Sequence, residues 1–131
     1  MVETVELGPE DAADLTALYG DWDWWADRDV EGVATMLDGT DVTLGLRDQG
    51  ALVASGRALT DGVYYAKLYD VIVAADRRGE GLGRRVVEAL RDHPTVAAAG
   101  HVELLCEPHL VEFYERCGFT ENPDFVEMVH E

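Results

Sequence analysis

Lysine is almost missing from this 131-residue chain: Lys67 stands alone beside nine arginines, and 27 acidic residues outnumber those ten cations for a net charge of −17. Nucleic acid and anionic membrane both require a basic footprint, so this charge balance argues against either as a partner. Cysteine is scarce too. Cys106 and Cys117 make no disulfide framework and read as reduced thiols of a cytoplasmic protein. No apolar run approaches the roughly 18 residues that a membrane span needs. Met1-Val2-Glu3-Thr4-Val5-Glu6 is acidic and lacks the basic, apolar character of a signal peptide. There is no repeat, linker or low-complexity tract, and no metal is expected.

Hydrophobic residues make up 47% of the chain and charged residues 28%, the balance of a folded globular protein. The length fits one domain over residues 1–131, able to bury roughly two-thirds of its unfolded surface. An acid-rich, lysine-poor surface resembles those of proteins from salt-accumulating halophiles, where molar salt screens self-repulsion.

The chain's densest chemistry lies between Asp70 and Leu90. Val71, Ile72 and Val73 form a β-branched apolar run that reads as a buried strand. Gly79, Gly81 and Gly83 follow at alternate positions, flanked by Arg77, Arg78, Arg84 and Arg85. Leu82, Val86 and Leu90 then recur at helical spacing. A strand, a glycine loop and a helix together present free backbone N–H groups and a helix N-terminus to an anion. A P-loop needs Lys-Ser/Thr where Arg84-Arg85 stand, and a dinucleotide loop needs a third glycine where Arg84 or Val86 stands, so both readings fail. The pattern that fits is Arg-x-x-Gly-x-Gly, here Arg78-Gly79-Glu80-Gly81-Leu82-Gly83.

Around this stretch the periodicity predicts an edge strand from Val2 to Leu7, a helix after Gly8-Pro9 carrying Leu15, Leu18 and Tyr19, and a second helix capped by Asp29 through Leu37. Val42, Leu44 and Leu46 alternate, Asp48-Gln49-Gly50 turns the chain, and a strand runs from Ala51 to Leu59. Asp61-Gly62 signals a hairpin into a strand from Val63 to Val73. The loop's helix reaches about Arg91 before His93-Pro94 breaks it. Val102 to Cys106 reads as a strand, Leu110 to Cys117 as a short helix, and Phe119 onward, with Val126, Met128 and Val129, as a hairpin-like pair. The expected order is β-α-α-β-β-β-α-β-α-β-β, an α/β layout with a mixed, mostly antiparallel sheet flanked by helices.

The glycine loop resembles the coenzyme A pyrophosphate loop of the GNAT superfamily of N-acetyltransferases. Phe113-Tyr114-Glu115-Arg116-Cys117-Gly118-Phe119 is similar to that superfamily's last helix, which ends at a glycine cap. The motifs and element order match from Val42 onward; the first forty residues match in helix count alone. A narrower similarity, through Tyr69–Val73 and Glu107–Tyr114, is to small-amine acetyltransferases.

The resemblance implies an acetyl-CoA-dependent N-acetyltransferase acting on a small primary amine by direct transfer in a ternary complex. A catalytically silent acetyl-CoA-binding sensor or partner subunit is the alternative. Val71, Ile72 and Val73 would bind the pantetheine arm through their backbone, and amides from Arg78 through Gly79, Glu80, Gly81, Leu82 and Gly83 to Arg84 the pyrophosphate. Tyr114 would protonate or position the departing thiolate, a role suited to a phenol facing a thiol leaving group. The amide of Val71 would polarise the acetyl carbonyl. Asp70 is the candidate base, on the expectation that desolvation raises its pKa; a structural aspartate held by amides or an arginine is the alternative. Glu107, His101 and His109 are weaker candidates. Trp22, Trp24 and Trp25, interleaved with Asp21, Asp23 and Asp27, either wall a site for a cationic or aromatic amine or pack under the helices. Edge strands at both ends of such a sheet allow a homodimer.

Overall fold

A computed structural model describes residues Met1–Glu131. Its strands are β1 (Val2–Glu6), β2 (Val42–Asp48), β3 (Ala51–Thr60), β4 (Tyr65–Val73) and β5 (His101–Leu104). Its helices are α1 (Ala12–Tyr19), α2 (Val30–Gly39), α3 (Leu82–Asp92), α4 (Pro94–Ala97) and α5 (Val111–Arg116). The strands lie in one sheet in chain order, antiparallel except where β4 meets β5. Hairpins join β2 to β3 and β3 to β4, whereas the parallel β4–β5 step needs the crossover that α3 and α4 supply.

Local chemistry explains the boundaries. The Asp29 carboxylate accepts from the Gly32 amide at 2.7 Å and starts α2 as an N-cap. Asp61 accepts from the amides of Val63, Tyr64 and Tyr65, which holds those residues in a turn and delays β4 to Tyr65 rather than Val63. His93-Pro94 does end α3, but Pro94 then serves as the first residue of α4, where its missing N–H costs nothing.

Apolar residues fill both faces of the sheet. On one, α3 buries Leu82, Val86, Val87 and Leu90 against Leu44, Leu46, Val53, Ala54 and Leu68, with Phe113 and Tyr114 of α5 alongside. On the other, Leu15, Leu18 and Tyr19 of α1 and Val33 and Leu37 of α2 cover Leu7, Ile72 and Ala74. Each such aliphatic side chain contributes about 1.5–3 kcal/mol through burial.

The mixed, mostly antiparallel sheet flanked by helices agrees with the sequence pattern, but the order departs from it at the end. No strand follows α5, so the expected closing pair is absent. The Asn122 side chain accepts from the Asp124 amide and turns the chain around Pro123. Beyond it Phe125, Val126, Met128 and Val129 are exposed, with no ladder partner. An apolar alternation makes a strand only where another strand's N–H and C=O groups face it.

Candidate functional site

The site begins with an irregularity in β4. Tyr69 pairs with Arg57 and Ile72 with Ser55, so Asp70 and Val71 together face Gly56. Asp70 takes φ 55°, a left-handed conformation rare for a residue with a Cβ. Gly56 is needed opposite: a Cβ there would come within 2.8 Å of Val86 and 2.9 Å of Leu90. Pairing with β5 stops at Leu68, so β4 runs on past its parallel neighbour from Tyr69 to Val73.

The bulge turns Asp70 into a cluster of cations. Its carboxylate accepts from Arg57 Nε at 2.8 Å, from Arg28 Nη1 at 2.9 Å and Nη2 at 3.3 Å, and from Trp25 Nε1 at 3.4 Å. Burial disfavours the charged carboxylate, but hydrogen bonds and charge from Arg28 and Arg57 outweigh it and hold its pKa below the ordinary carboxylate range. The expectation of a raised pKa is thereby corrected, and a carboxylate so stabilised is a weak base. Arg28 also lies 4.7 Å from the centre of the Tyr19 ring, and Tyr19, buried and near Asp70, is pushed up to about 12.

The segment between α1 and α2 follows β4 toward the glycine loop. Trp22 Nε1 donates to the Val73 carbonyl at 2.8 Å, and Asp21 accepts from the Ala75 amide at 3.0 Å. Trp22 and Trp25 pack on the α1–α2 core, and Trp24 is 78% exposed. Two of the three tryptophans therefore brace the end of β4. Arg78 lies over the Trp22 ring, 5.2 Å from its centre.

The loop itself has the shape and polarity of an anion cradle. Gly79 and Gly81 take φ 81° and 80°, and a Cβ on either would meet nothing within 4 Å. No amide from Arg78 through Arg84 donates a hydrogen bond within the chain; Arg85, donating to the Gly81 carbonyl, is the first to close a helical turn. Open N–H groups at the positive end of α3 suit a phosphate or pyrophosphate. The arginines divide. Arg77 pairs with Asp48 and Glu80, Arg84 with Glu88, and Arg85 donates to the Val2 carbonyl. Only Arg78 among them has no acceptor.

On α5, Tyr114 packs edge-on against Phe113 and Phe119, with ring centres 4.9 and 6.4 Å apart. Burial, reinforced by Cys106 and Cys117, pushes its phenol up to about 12. The Tyr114 amide's helix ends where Gly118 takes φ 95°, the expected left-handed cap. Among the weaker candidates, Glu107 and His109 face each other at 3.5 Å on the surface, and His101 is exposed beside Tyr65. Sequence reasoning missed Arg28 and Arg57. Arg57 had a visible sign, as the one charged residue in the run from Ala51 to Leu59.

Comparison with known proteins gives a consistent result. Residues 39–121 match the family described as acetyltransferase (GNAT) domain. The chain is 31% identical over 106 residues to the uncharacterized N-acetyltransferase ycf52 of Pyropia yezoensis, covering 78% of this chain and 61% of that protein. It is 39% identical over 77 residues to the chloroplastic serotonin N-acetyltransferase 2 of Oryza sativa subsp. japonica, covering 59% and 38%. The chain thus spans less than two-thirds of these relatives' length. Its fold superposes on glucosamine-6-phosphate N-acetyltransferase from Arabidopsis thaliana with a TM-score of 0.81 at 23% identity, over 100% of this chain and 98% of the other.

Proposed function

The chain belongs to the GNAT acetyltransferase family, and from that premise we propose that it moves an acetyl group from acetyl-CoA to a small primary amine by direct transfer in a ternary complex. The observation that carries this reading is the row of unpartnered amides from Arg78 to Arg84, entered from a strand that outruns its neighbour. Those amides would hold the pyrophosphate, with Arg78 beside them, and the backbone of Val71, Ile72 and Val73 the pantetheine arm. Acetyl-CoA supplies an acetyl group activated as a thioester.

The chain's own residues divide the remaining work. Tyr114 keeps its proton throughout the physiological range, since its phenol is pushed up to about 12, and offers it to a departing sulfur. A thiolate leaving in the same dry surroundings is raised by the same desolvation, which narrows the gap between the two groups. The Val71 amide, set by the bulge, would polarise the acetyl carbonyl. Asp70 fixes Arg28 and Arg57; the proton that the amine nitrogen loses as it becomes an amide passes through solvent and restores the phenol of Tyr114.

The serotonin named in one relative supports an amine acceptor. No helix is long and apolar enough to cross a membrane. The halophile-like charge and a cytoplasmic setting belong to this same reading. So does a homodimer, supported by the open outer edge of β5 and the exposed apolar tail.

A thiol-release assay with acetyl-CoA and a panel of primary amines tests the proposal. Turnover that depends on both substrates supports it. Binding of acetyl-CoA without turnover of any amine would favour a silent sensor or partner subunit instead.

A further inference from the structure

Nearly three acids stand for every base in this chain, so an unpaired cation is unusual, and the unpaired ones are few. Only Lys67, Arg78 and Arg85 have no carboxylate within 4.0 Å. Arg85 is engaged by the Val2 carbonyl, and Arg78 belongs to the glycine loop. Lys67 is left, the single lysine, half-buried on β4. Glu103 lies across from it in the β4–β5 register but does not reach ion-pair distance.

Lys67 does not stand alone. Its Nζ is 5.5 Å from the centre of the Tyr69 ring, and the Arg57 guanidinium is 5.2 Å from the same ring. Arg57 gives Nε to Asp70 and Nη1 to Thr40 at 3.2 Å, which leaves its Nη2 without a partner. Arg28, Arg57 and Lys67 against Asp70 make a cluster of net charge +2 in a chain of net charge −17. The cluster sits at the residue before the strand segment assigned to the pantetheine arm, where an acceptor must approach. Repulsion among these cations is tolerated in the free protein and relieved when an anion arrives.

We propose that Lys67 and the free face of Arg57, both of which approach the Tyr69 ring, bind an acidic group carried by the acceptor, so that the substrate is an amine bearing a carboxylate or a phosphate. The inference rests on the acetyl-transfer reading and adds a substrate class to it. The aromatic loop and its aspartates would then contact the remainder of the acceptor, not its acid. An ammonium and a guanidinium donating to one anion form charge-assisted hydrogen bonds, the strongest polar contacts available to a small substrate.

The experiment compares n-propylamine, β-alanine and 2-aminoethyl phosphate as acceptors at one fixed ionic strength, with acetyl-CoA calorimetry in parallel. The wild type is expected to prefer an acid-bearing amine in kcat/KM by at least about tenfold over n-propylamine. The Lys67→Gln variant should raise KM for that amine by roughly 10- to 100-fold, and Lys67→Arg should restore most of it. Whether β-alanine or 2-aminoethyl phosphate gains more identifies the acid. Acetyl-CoA binding with no preference for acid-bearing amines, with no turnover of them, or with a preference that Lys67→Gln leaves intact overturns the inference alone. Failure to bind acetyl-CoA overturns it together with the reading beneath it.

Discussion

Arg57 on β3 donates its Nε to Asp70 on β4 at 2.8 Å, across the place where the register between the two strands slips. A bulge in a sheet re-aims a side chain. Here it re-aims a carboxylate from the strand's alternation into a clamp between Arg57 and Arg28, and the clamp ties the α1–α2 segment to the strand on which the chemistry is proposed.

Replacing Asp70 with Asn removes the shared anion and leaves two arginines facing each other. Breaking a partly buried pair on one side costs on the order of 3 kcal/mol, and urea denaturation should show a loss of that size. The pH dependence follows from the sign of the shift. Asp70 has a folded pKa below its unfolded value, so its contribution is present above the unfolded carboxylate range and lost as pH falls through the folded pKa. Below about pH 4 the stability curves of wild type and Asp70→Asn should therefore converge. Curves that stay parallel down to acid-unfolding would contradict the clamp.

Tyr114→Phe keeps the aromatic packing on Phe113 and Phe119 and removes the hydroxyl. The account predicts a kcat lower by roughly 10²-fold with acetyl-CoA affinity retained. The raised phenol also predicts that no loss of activity below about pH 10 comes from Tyr114 ionisation. Ultraviolet titration of the phenolate, with the variant as reference, reads that ionisation directly.

Gly81→Ala tests the loop. A Cβ there meets no neighbour, so the cost is conformational: φ 80° disfavours alanine by about 1–2 kcal/mol. If the amides of this loop hold the pyrophosphate, acetyl-CoA affinity should fall by about tenfold or more, while the melting temperature drops by only a few degrees. Unchanged affinity would remove the loop from the cofactor site.

These assignments differ in how far the sequence carried them. The strand–glycine–helix stretch was legible because its chemistry is local: alternate glycines, a β-branched run and a helical face all lie within about twenty residues. The Asp29 cap and the Gly118 cap were legible for the same reason. The Asp70 clamp was not, because its arginines come from residues 28 and 57 and meet it only through a bulge that no periodicity announces. Local desolvation pointed the pKa upward, and distant charges reversed it. The closing strands failed differently: Val126, Met128 and Val129 alternate as a strand would, but pattern does not supply a partner.

The net charge of −17 predicts a salt dependence. Self-repulsion between exposed carboxylates is long-ranged in dilute buffer and screened within about 3 Å at 1 M salt. The melting temperature should rise between dilute buffer and molar KCl; an unchanged value would contradict the halophile-like reading of the surface.

The most direct test of the central claim is calorimetric titration of acetyl-CoA into the folded protein in about 2 M KCl, with ATP as the control for phosphate binding alone. The account predicts saturable binding of acetyl-CoA, weakened in Gly81→Ala, and none of ATP. No binding of acetyl-CoA, in a salt where the circular dichroism spectrum shows the chain folded, would contradict the assignment of the glycine loop and the acetyl-transfer function with it.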